Sequence, residues 1–487
     1  MSHLARRFLP LFIIALTSTS LLTAQNTAPE LTLEQCIERA LQKNFSLEVG
    51  RFAPEIAKDS IVVSKGGYEP QLTVTASTGK DTFGATGTST GSSSRSSDLR
   101  VGVSQRLYSG TTLSASSRLD RSSSNPALSL NPAYNADLTL SARQSLLSGL
   151  GTKVNRAAVE RAEIGFQRAN LDYKSQVLDV IEATENAYYN LVNAREQLAV
   201  RNSSLALSQK LYDEAKTRRD TGVATDLDVL QAEVGVANSR RSVILAEQTV
   251  KDRQDGLLAL IGQFELENEV GTVRFKEFTD ALPVFASSYA MAKQNQPDYL
   301  SSLAAIEQYT LDLAVARDNA RPDLSVGAAL GMNGRNGSGS SAFNNALDRQ
   351  NHSWQVDLSF SYPIGQASDK ARERQSLATL NRERARLRQL EQSIEVEVRA
   401  AVRSVETNTE SVKIAKLASD LSVKQYELEK AKFDAGLSTS RLVLQAQTDL
   451  ESARFSELQA RVTLHNSIAA LHRIEGSSLQ RYAVQLP

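Results

Sequence analysis

The sequence is poor in the residues that usually carry chemistry. It has one cysteine among 487 residues, Cys36, so no intramolecular disulfide can form. Cys36 lies well inside a Leu-Glu-Gln-Cys-Ile stretch, which argues against a lipid-anchored N-terminal cysteine. Of the four histidines, His3 is near the start and His352 stands alone, while His465 and His472 are two helical turns apart, too far to share one metal. No G-x-S-x-G, P-loop or H-E-x-x-H pattern occurs. The carboxylate pair Asp226/Asp228 sits in a turn with no enclosing fold for acid–base work. Charge of one sign is also missing: 55 basic residues face 55 acidic ones, which gives no reason to expect a nucleic-acid partner. These absences exclude most enzyme classes, and we expect no enzyme, no cofactor and no metal. Proline is scarce at 11 residues, and Ala, Leu, Gln, Glu and Arg are abundant, which favours long helices.

Long apolar runs are absent as well. The longest, at 9–16 and preceded by Arg6 and Arg7, is too short to span a bilayer. With Leu22-Thr23-Ala24 it reads as a signal peptide over 1–24.

What the chain does have is a duplication. Asp220-Thr221-Gly222-Val223-Ala224-Thr225 followed by Val229-Leu230-Gln231-Ala232 returns as Asp434-Ala435-Gly436-Leu437-Ser438-Thr439 followed by Val443-Leu444-Gln445-Ala446. Upstream, Tyr68-Glu69-Pro70-Gln71-Leu72 corresponds to Ala320-Arg321-Pro322-Asp323-Leu324. The upstream landmarks lie farther apart than the downstream ones, so the first copy carries an insertion between its two landmarks. Each copy reads as helix, Pro-opened strands, long helix, Gly turn, long helix.

The long helices carry a coiled-coil period. Val177, Ile181, Thr184, Tyr188, Leu191, Leu198, Leu205 and Tyr212 follow spacings of three, four and seven, as do Ile394, Val398, Ala401, Val405, Val412 and Ala415. Nothing breaks the helix from Lys153 to Lys216, which predicts a rod of roughly 95 Å. Ala183, Ala187, Ala194, Ala232 and Ala237 beside the seam permit packing on more than one side.

Between the helices the period falls to two. Trp354, Val356, Leu358, Phe360 and Tyr362 alternate with polar residues, as do Leu324, Val326, Ala328 and Leu330. The first copy offers four such segments, around Leu72, Val101, Leu113 and Leu138. The alternating runs are about ten residues long, the length of membrane β-strands. An ordinary soluble sandwich gives the same alternation. The membrane reading is favoured by three long Gly/Ser/Asn-rich connections (83–97, 122–135 and 332–351), by a tight turn at Ser109-Gly110-Thr111, and by aromatic residues at both strand ends. The polar faces carry Arg100, Arg106, Arg118 and Arg143 against Asp137, Asp323 and Asp357, which predicts a mildly cationic lumen. Six strands cannot close a barrel alone, and an open edge in lipid is not viable, so the chain must oligomerise around a shared barrel.

Taken in order, these landmarks resemble the TolC-like outer-membrane efflux protein family. The resemblance rests on Leu31-Thr32-Leu33 with Ala40-Leu41 and Asn44, on Tyr68-Glu69-Pro70, on the two Gly-centred tips, and on Leu260-Ile261-Gly262 and Leu471-His472-Arg473-Ile474-Glu475-Gly476 closing the copies. It implies a mainly α fold with membrane β: a homotrimeric α-helical barrel of long coiled-coil hairpins, joined to a shared transmembrane β-barrel of four to six strands per chain. The family usually contributes four strands, so the insertion puts a twelve-strand barrel in doubt and makes eighteen possible. The segmentation expected is a signal peptide at 1–24, N-terminal helix at 25–67, strands at 68–147, hairpin at 148–262 and equatorial linker at 263–285. The second repeat follows with its helix at 286–320, strands at 321–365, hairpin at 366–475 and equatorial tail at 476–487.

The resemblance further implies residence in the outer membrane of a Gram-negative-type bacterium, with a large periplasmic part. The implied role is a passive exit channel for substrate delivered by an inner-membrane pump through a periplasmic adaptor, in efflux or type I secretion. Carried over, the adaptor-docking tips are Gly222, Val223, Thr225, Gly436, Leu437 and Thr439. The periplasmic gate draws on Arg218, Arg219, Asp226, Asp228, Arg441, Leu442 and Gln445, either as an ionic latch or as an apolar constriction near Leu442. A structural coiled-coil tether without transport is the rival reading.

Overall fold

The computed structural model describes residues 31–84, 92–125, 130–262, 264, 270–275, 281–348 and 351–484; the signal-peptide segment lies outside them. In the first repeat, α1 (Leu33–Lys43), α2 (Phe45–Gly50) and α3 (Phe52–Gly66) lead into β1 (Gln71–Phe83), β2 (Ser92–Arg106), β3 (Thr111–Asn125) and β4 (Ala133–Ser145). A short α4 (Thr152–Asn155) precedes the hairpin of α5 (Ala157–Asp220) and α6 (Asp226–Ile261). The second repeat runs α7 (Phe285–Asn295), α8 (Pro297–Asn319), β5 (Asp323–Asn336), α9 (Gly339–Leu347) and β6 (His352–Ser361). It closes with α10 (Ala367–Asp434), α11 (Ser440–Glu475) and α12 (Ser478–Arg481).

Two helices set the scale: α5 has 64 residues and α10 has 68, so each is ~100 Å long. The rod expected from Lys153 onward begins only at Ala157. Asn155 is buried and its side chain donates to the Gly149 and Gly151 carbonyls, which holds α4 apart from α5.

Near the Gly-centred tips the helices pack in the order α6, α5, α11, α10. Nearer the sheet the order is α3, α5, α8, α10. Each repeat therefore pairs one long continuous helix with two shorter ones laid end to end. The two cores follow the duplication. Ile37, Val177, Ile181, Leu191 and Leu257 bury the first, and Ile394, Val398, Val405, Ile468 and Leu471 the second.

The α5 seam holds from Val177 to Leu191 and then shifts by one position. Leu198, Leu205 and Tyr212 are only half-buried, while Ser204, Ser208, Leu211 and Ala215 are buried. A straight helix drifts against a seven-residue repeat. Here a buried glutamine on α11 also captures the two serines, so the polar positions turn inward.

The six strands form one antiparallel sheet in chain order, with continuous one-to-one register. The strands are longer than the alternation implied, at 15 residues in β2 and β3. The segment around Ser92–Ser97, expected as loop, pairs with β1 and β3 instead. The third expected loop holds α9, whose Ala342 and Ala346 are fully buried against Ala136. Among the described residues no helix is long and apolar enough to cross a membrane.

Candidate functional surfaces: the sheet wall and the helical tips

The register decides which side chains share a face. Leu72, Val103, Ala115, Leu140, Leu330 and Trp354 stand in one cross-strand row, and Val74, Val101, Ser117, Leu138 and Met332 in the next. The apolar residues of all six strands thus meet on one face, and they are bare: Leu358 is 69 % and Trp354 73 % exposed. So large an apolar surface marks an interaction with lipid or protein.

The opposite face is polar throughout, and its charge differs from the expectation. Arg100, Arg106, Arg118 and Arg143 do lie there, with Arg335. The longer strands add Asp81, Asp98 and Asp120 to Asp137, Asp323 and Asp357. Arg118 pairs with Asp98, Arg143 reaches Asp357 at 2.9 Å, and Arg106 binds Asn155 at 2.8 Å. The cationic excess read from four arginines is cancelled by aspartates at strand positions beyond the alternating runs.

At the other end of the molecule the two tips have the same backbone. Gly222 (φ +81°) and Gly436 (φ +77°) occupy the left-handed region. Val223 N–H donates to the Arg218 carbonyl and Gly222 N–H to that of Arg219, both at 2.8 Å. Leu437 repeats the first bond to Lys432 at 2.8 Å, and Gly436 the second to Phe433 at 3.0 Å. These are Schellman closures, in which the residue after glycine commonly packs back on its own helix. Here it does not: Val223 is 75 % and Leu437 80 % exposed. Thr225 then caps α6 in a reciprocal box with Asp228. Those bonds hold the Asp228 carboxyl below the usual carboxylate range. Thr439 occupies the same place before α11 without a side-chain cap bond.

The expected gate residues divide into three kinds. Arg218 ties the tips of the two repeats together, donating to the Phe433 carbonyl at 3.0 Å with its guanidinium 4.2 Å from that ring. Arg219, Asp220 and Asp226 pair within the first tip, and Asp228 is occupied as a cap, so the structure does not join those acids to the second repeat. Arg441, Leu442 and Gln445 lie on the exposed face of α11, with Gln445 on Asp449 at 2.9 Å.

Sequence reading missed a polar layer one level above the tips. Gln447 of α11 is buried and donates to Ser204 Oγ at 2.7 Å and to Ser208 Oγ at 3.1 Å. Ser208 meets Ser239 of α6 at 3.0 Å. Arg201 pairs with Glu451 and covers the Phe455 ring at 4.2 Å. Beside this layer is a cavity of about 310 Å³. The only sequence signal was a run of serines in an otherwise apolar phase.

At mid-height the strip 270–275 crosses α5, held by Arg195 on the Val270 carbonyl at 2.8 Å and by Leu31 N–H on Thr272 at 2.9 Å. The C-terminal Tyr482 hydroxyl donates to the buried Glu185. Burial pushes the Glu185 carboxyl up to about 7, against the lowering effects of the Tyr482 bond and Arg481. His465 stacks on Tyr189 at 4.0 Å and His472 faces Arg481 at 3.2 Å.

The helices also leave seams uncovered. Leu227, Leu230, Val234 and Ile244 on α6 are exposed at heptad spacing, as are Ile414, Leu417, Leu421 and Leu428 on α10. These helices are the two outer members of the order found near the tips.

Comparison with known proteins agrees with this architecture. Residues 111–263 and 288–477 match the family model described as outer membrane efflux protein. The chain is 25 % identical over 468 residues to the pyoverdine export outer membrane protein OpmQ of Pseudomonas aeruginosa, covering 93 % of this chain and 86 % of that one. It is 23 % identical over 479 residues to the outer membrane efflux protein BepC of Brucella suis, covering 97 % and 90 %. Among solved structures, the outer-membrane channel OprN superposes with a TM-score of 0.69 at 21 % identity, over 91 % of this chain and 90 % of that one.

Proposed function

Because the chain belongs to the outer membrane efflux protein family, we propose that it is the outer-membrane exit duct of a tripartite export system, assembled as a homotrimer. In this reading it conducts substrate passively from an inner-membrane pump and a periplasmic adaptor. The observation that carries this is the sheet. Its apolar face is continuous, yet β1 and β6 each leave an edge unpaired within the chain. Lipid does not tolerate such an edge, and three copies joined β6 to β1 remove it. The bare seams on α6 and α10 support the same assembly, since a threefold axis brings α10 of one protomer against α6 of the next. Three chains then give an eighteen-strand barrel over a ring of twelve helices. The exposed Val223 and Leu437 are the adaptor contacts, and the level of Arg441 and Leu442 is the gate.

The test is the purified protein in detergent and in planar bilayers. A threefold mass with discrete conductance steps is expected. A stable trimer without conductance supports the tether reading, and a monomer that resists assembly removes both.

A further inference from the structure

The rim of the sheet farthest from the helices holds a feature that export does not require. On the apolar face, just beyond the apolar rows, stand Lys80 on β1, Arg95 on β2 and Arg121 on β3. Lys80 and Arg95 are direct cross-strand partners, and Arg121 lies diagonally from Arg95. Like charges directly opposite one another destabilise a sheet. Among the described residues no carboxylate pairs with any of the three; Arg121 covers only the Tyr134 ring, at 5.9 Å. The acids at this level, Asp81, Asp98 and Asp120, are all on the opposite face. The cations are therefore segregated to the outside with no internal counter-charge.

Farther down the same face, four residues along β3 from Arg121 and six along β2 from Arg95, begins a trough of about 850 Å³. It crosses the sheet from Val101 and Val103 on β2 to Trp354 on β6, and at β3 its floor is lowered by Ala115 and Ser117, which are smaller than Val101 and Val103 on one side and Leu138 and Leu140 on the other. Leu99 on β2 and Leu119 on β3, direct cross-strand partners, stand on this face between the trough and the cations. Helix α9 lies on the same outer face beside it. Gly334 has no room for a Cβ under it, since one would meet the Ala342 carbonyl at 2.2 Å. Its Phe343 and Leu347, one turn apart, stay exposed.

We propose that this outer rim binds a phosphorylated lipid of the outer leaflet, with its phosphate on Lys80, Arg95 and Arg121, one acyl chain descending past Leu119 into the trough, and α9 seated at the headgroup boundary beside it. The inference rests on the outer-membrane barrel reading. A soluble phosphate compound fits less well, because Leu99 and Leu119 carry apolar wall from the cations down to the trough.

Trp354, the only tryptophan, lines the trough and reports on its occupant. The full-length protein is reconstituted in phosphatidylcholine vesicles containing a graded fraction of lipid with brominated chains, carried either by phosphatidic acid or by phosphatidylcholine. The bromines quench Trp354 on contact. Brominated phosphatidic acid should reach half-maximal quenching at about tenfold lower mole fraction than brominated phosphatidylcholine. The triple variant Lys80→Gln, Arg95→Gln, Arg121→Gln should lose that advantage. If it does not assemble, Ala115→Leu, which fills the trough and keeps the charges, should lose it instead. Equal quenching by the two lipids, an advantage that survives in an assembled variant, or its abolition by millimolar inorganic phosphate overturns the lipid site while leaving the barrel intact. No quenching by either lipid means that this face does not meet the bilayer, and the barrel reading fails with it.

Discussion

At the scale of single residues, one step along a strand separates two environments. Leu358 stands on the apolar face and Ser359 on the polar one. Leu358→Arg should cost roughly 2–4 kcal/mol near mid-bilayer, whereas Ser359→Arg should assemble normally. Equal loss of trimer on a gel for the two variants would reverse the inside–outside assignment. Glu185 makes a second residue-scale statement. Its carboxyl is raised to about 7 by burial, so the folded chain keeps a proton that the unfolded chain releases near the ordinary carboxylate value. Stability from this group is therefore highest below that value and falls as pH rises towards 7, after which it is constant. Glu185→Gln keeps an acceptor for the Tyr482 hydroxyl and removes the charge. It should melt a few degrees above the parent at pH 8, with the difference vanishing near pH 4. A constant difference across that range would assign the effect to packing.

At the scale of elements, the duplication, the alternating strands and the tips were legible because each depends on local rules: a period of two, a period of three and a half, and a glycine that must take positive φ. What stayed hidden depends on partners. Ser92 to Ser97 carry no apolar alternation, yet they extend β2 because backbone pairing with β1 and β3 propagates without help from side chains. Helix α9 has no helical signature in the sequence because its nine residues are few and rich in Ser and Asn, and only Ala342 and Ala346 give it a packed side. The seam of α5 could not reveal that Ser204 and Ser208 would turn inward, since Gln447 lies 243 and 239 residues away.

The tips allow an element-scale prediction. Proline at 436 cannot donate to Phe433 or adopt φ +77°. Gly436→Pro should therefore lower adaptor affinity by an order of magnitude or more in a pull-down titration, with trimers intact. Leu437→Asp, which keeps the turn, should do the same if the exposed side chain is the contact; unaltered binding there would leave only a backbone role. Arg441 belongs to this level too. Reversing its charge with Arg441→Glu should raise single-channel conductance if neighbouring hairpins are latched through it, and an unchanged step size in an intact trimer would remove it from the gate.

At the scale of the whole molecule, the six strands per chain set the size of the mouth. Twelve helices spaced ~9 Å apart make a ring with a perimeter of roughly 110 Å. Eighteen strands spaced ~4.8 Å and tilted by about 40° have nearly the same perimeter, whereas twelve strands reach only roughly 75 Å. In the proposed trimer the extra hairpin would make the membrane part as wide as the helical part, so that the wall passes from helix to strand without a funnel. A duct of uniform bore has no throat at its outlet. In such a trimer, whatever limits the size of the cargo would lie at the opposite end, where the two glycine turns bring the helices to a close.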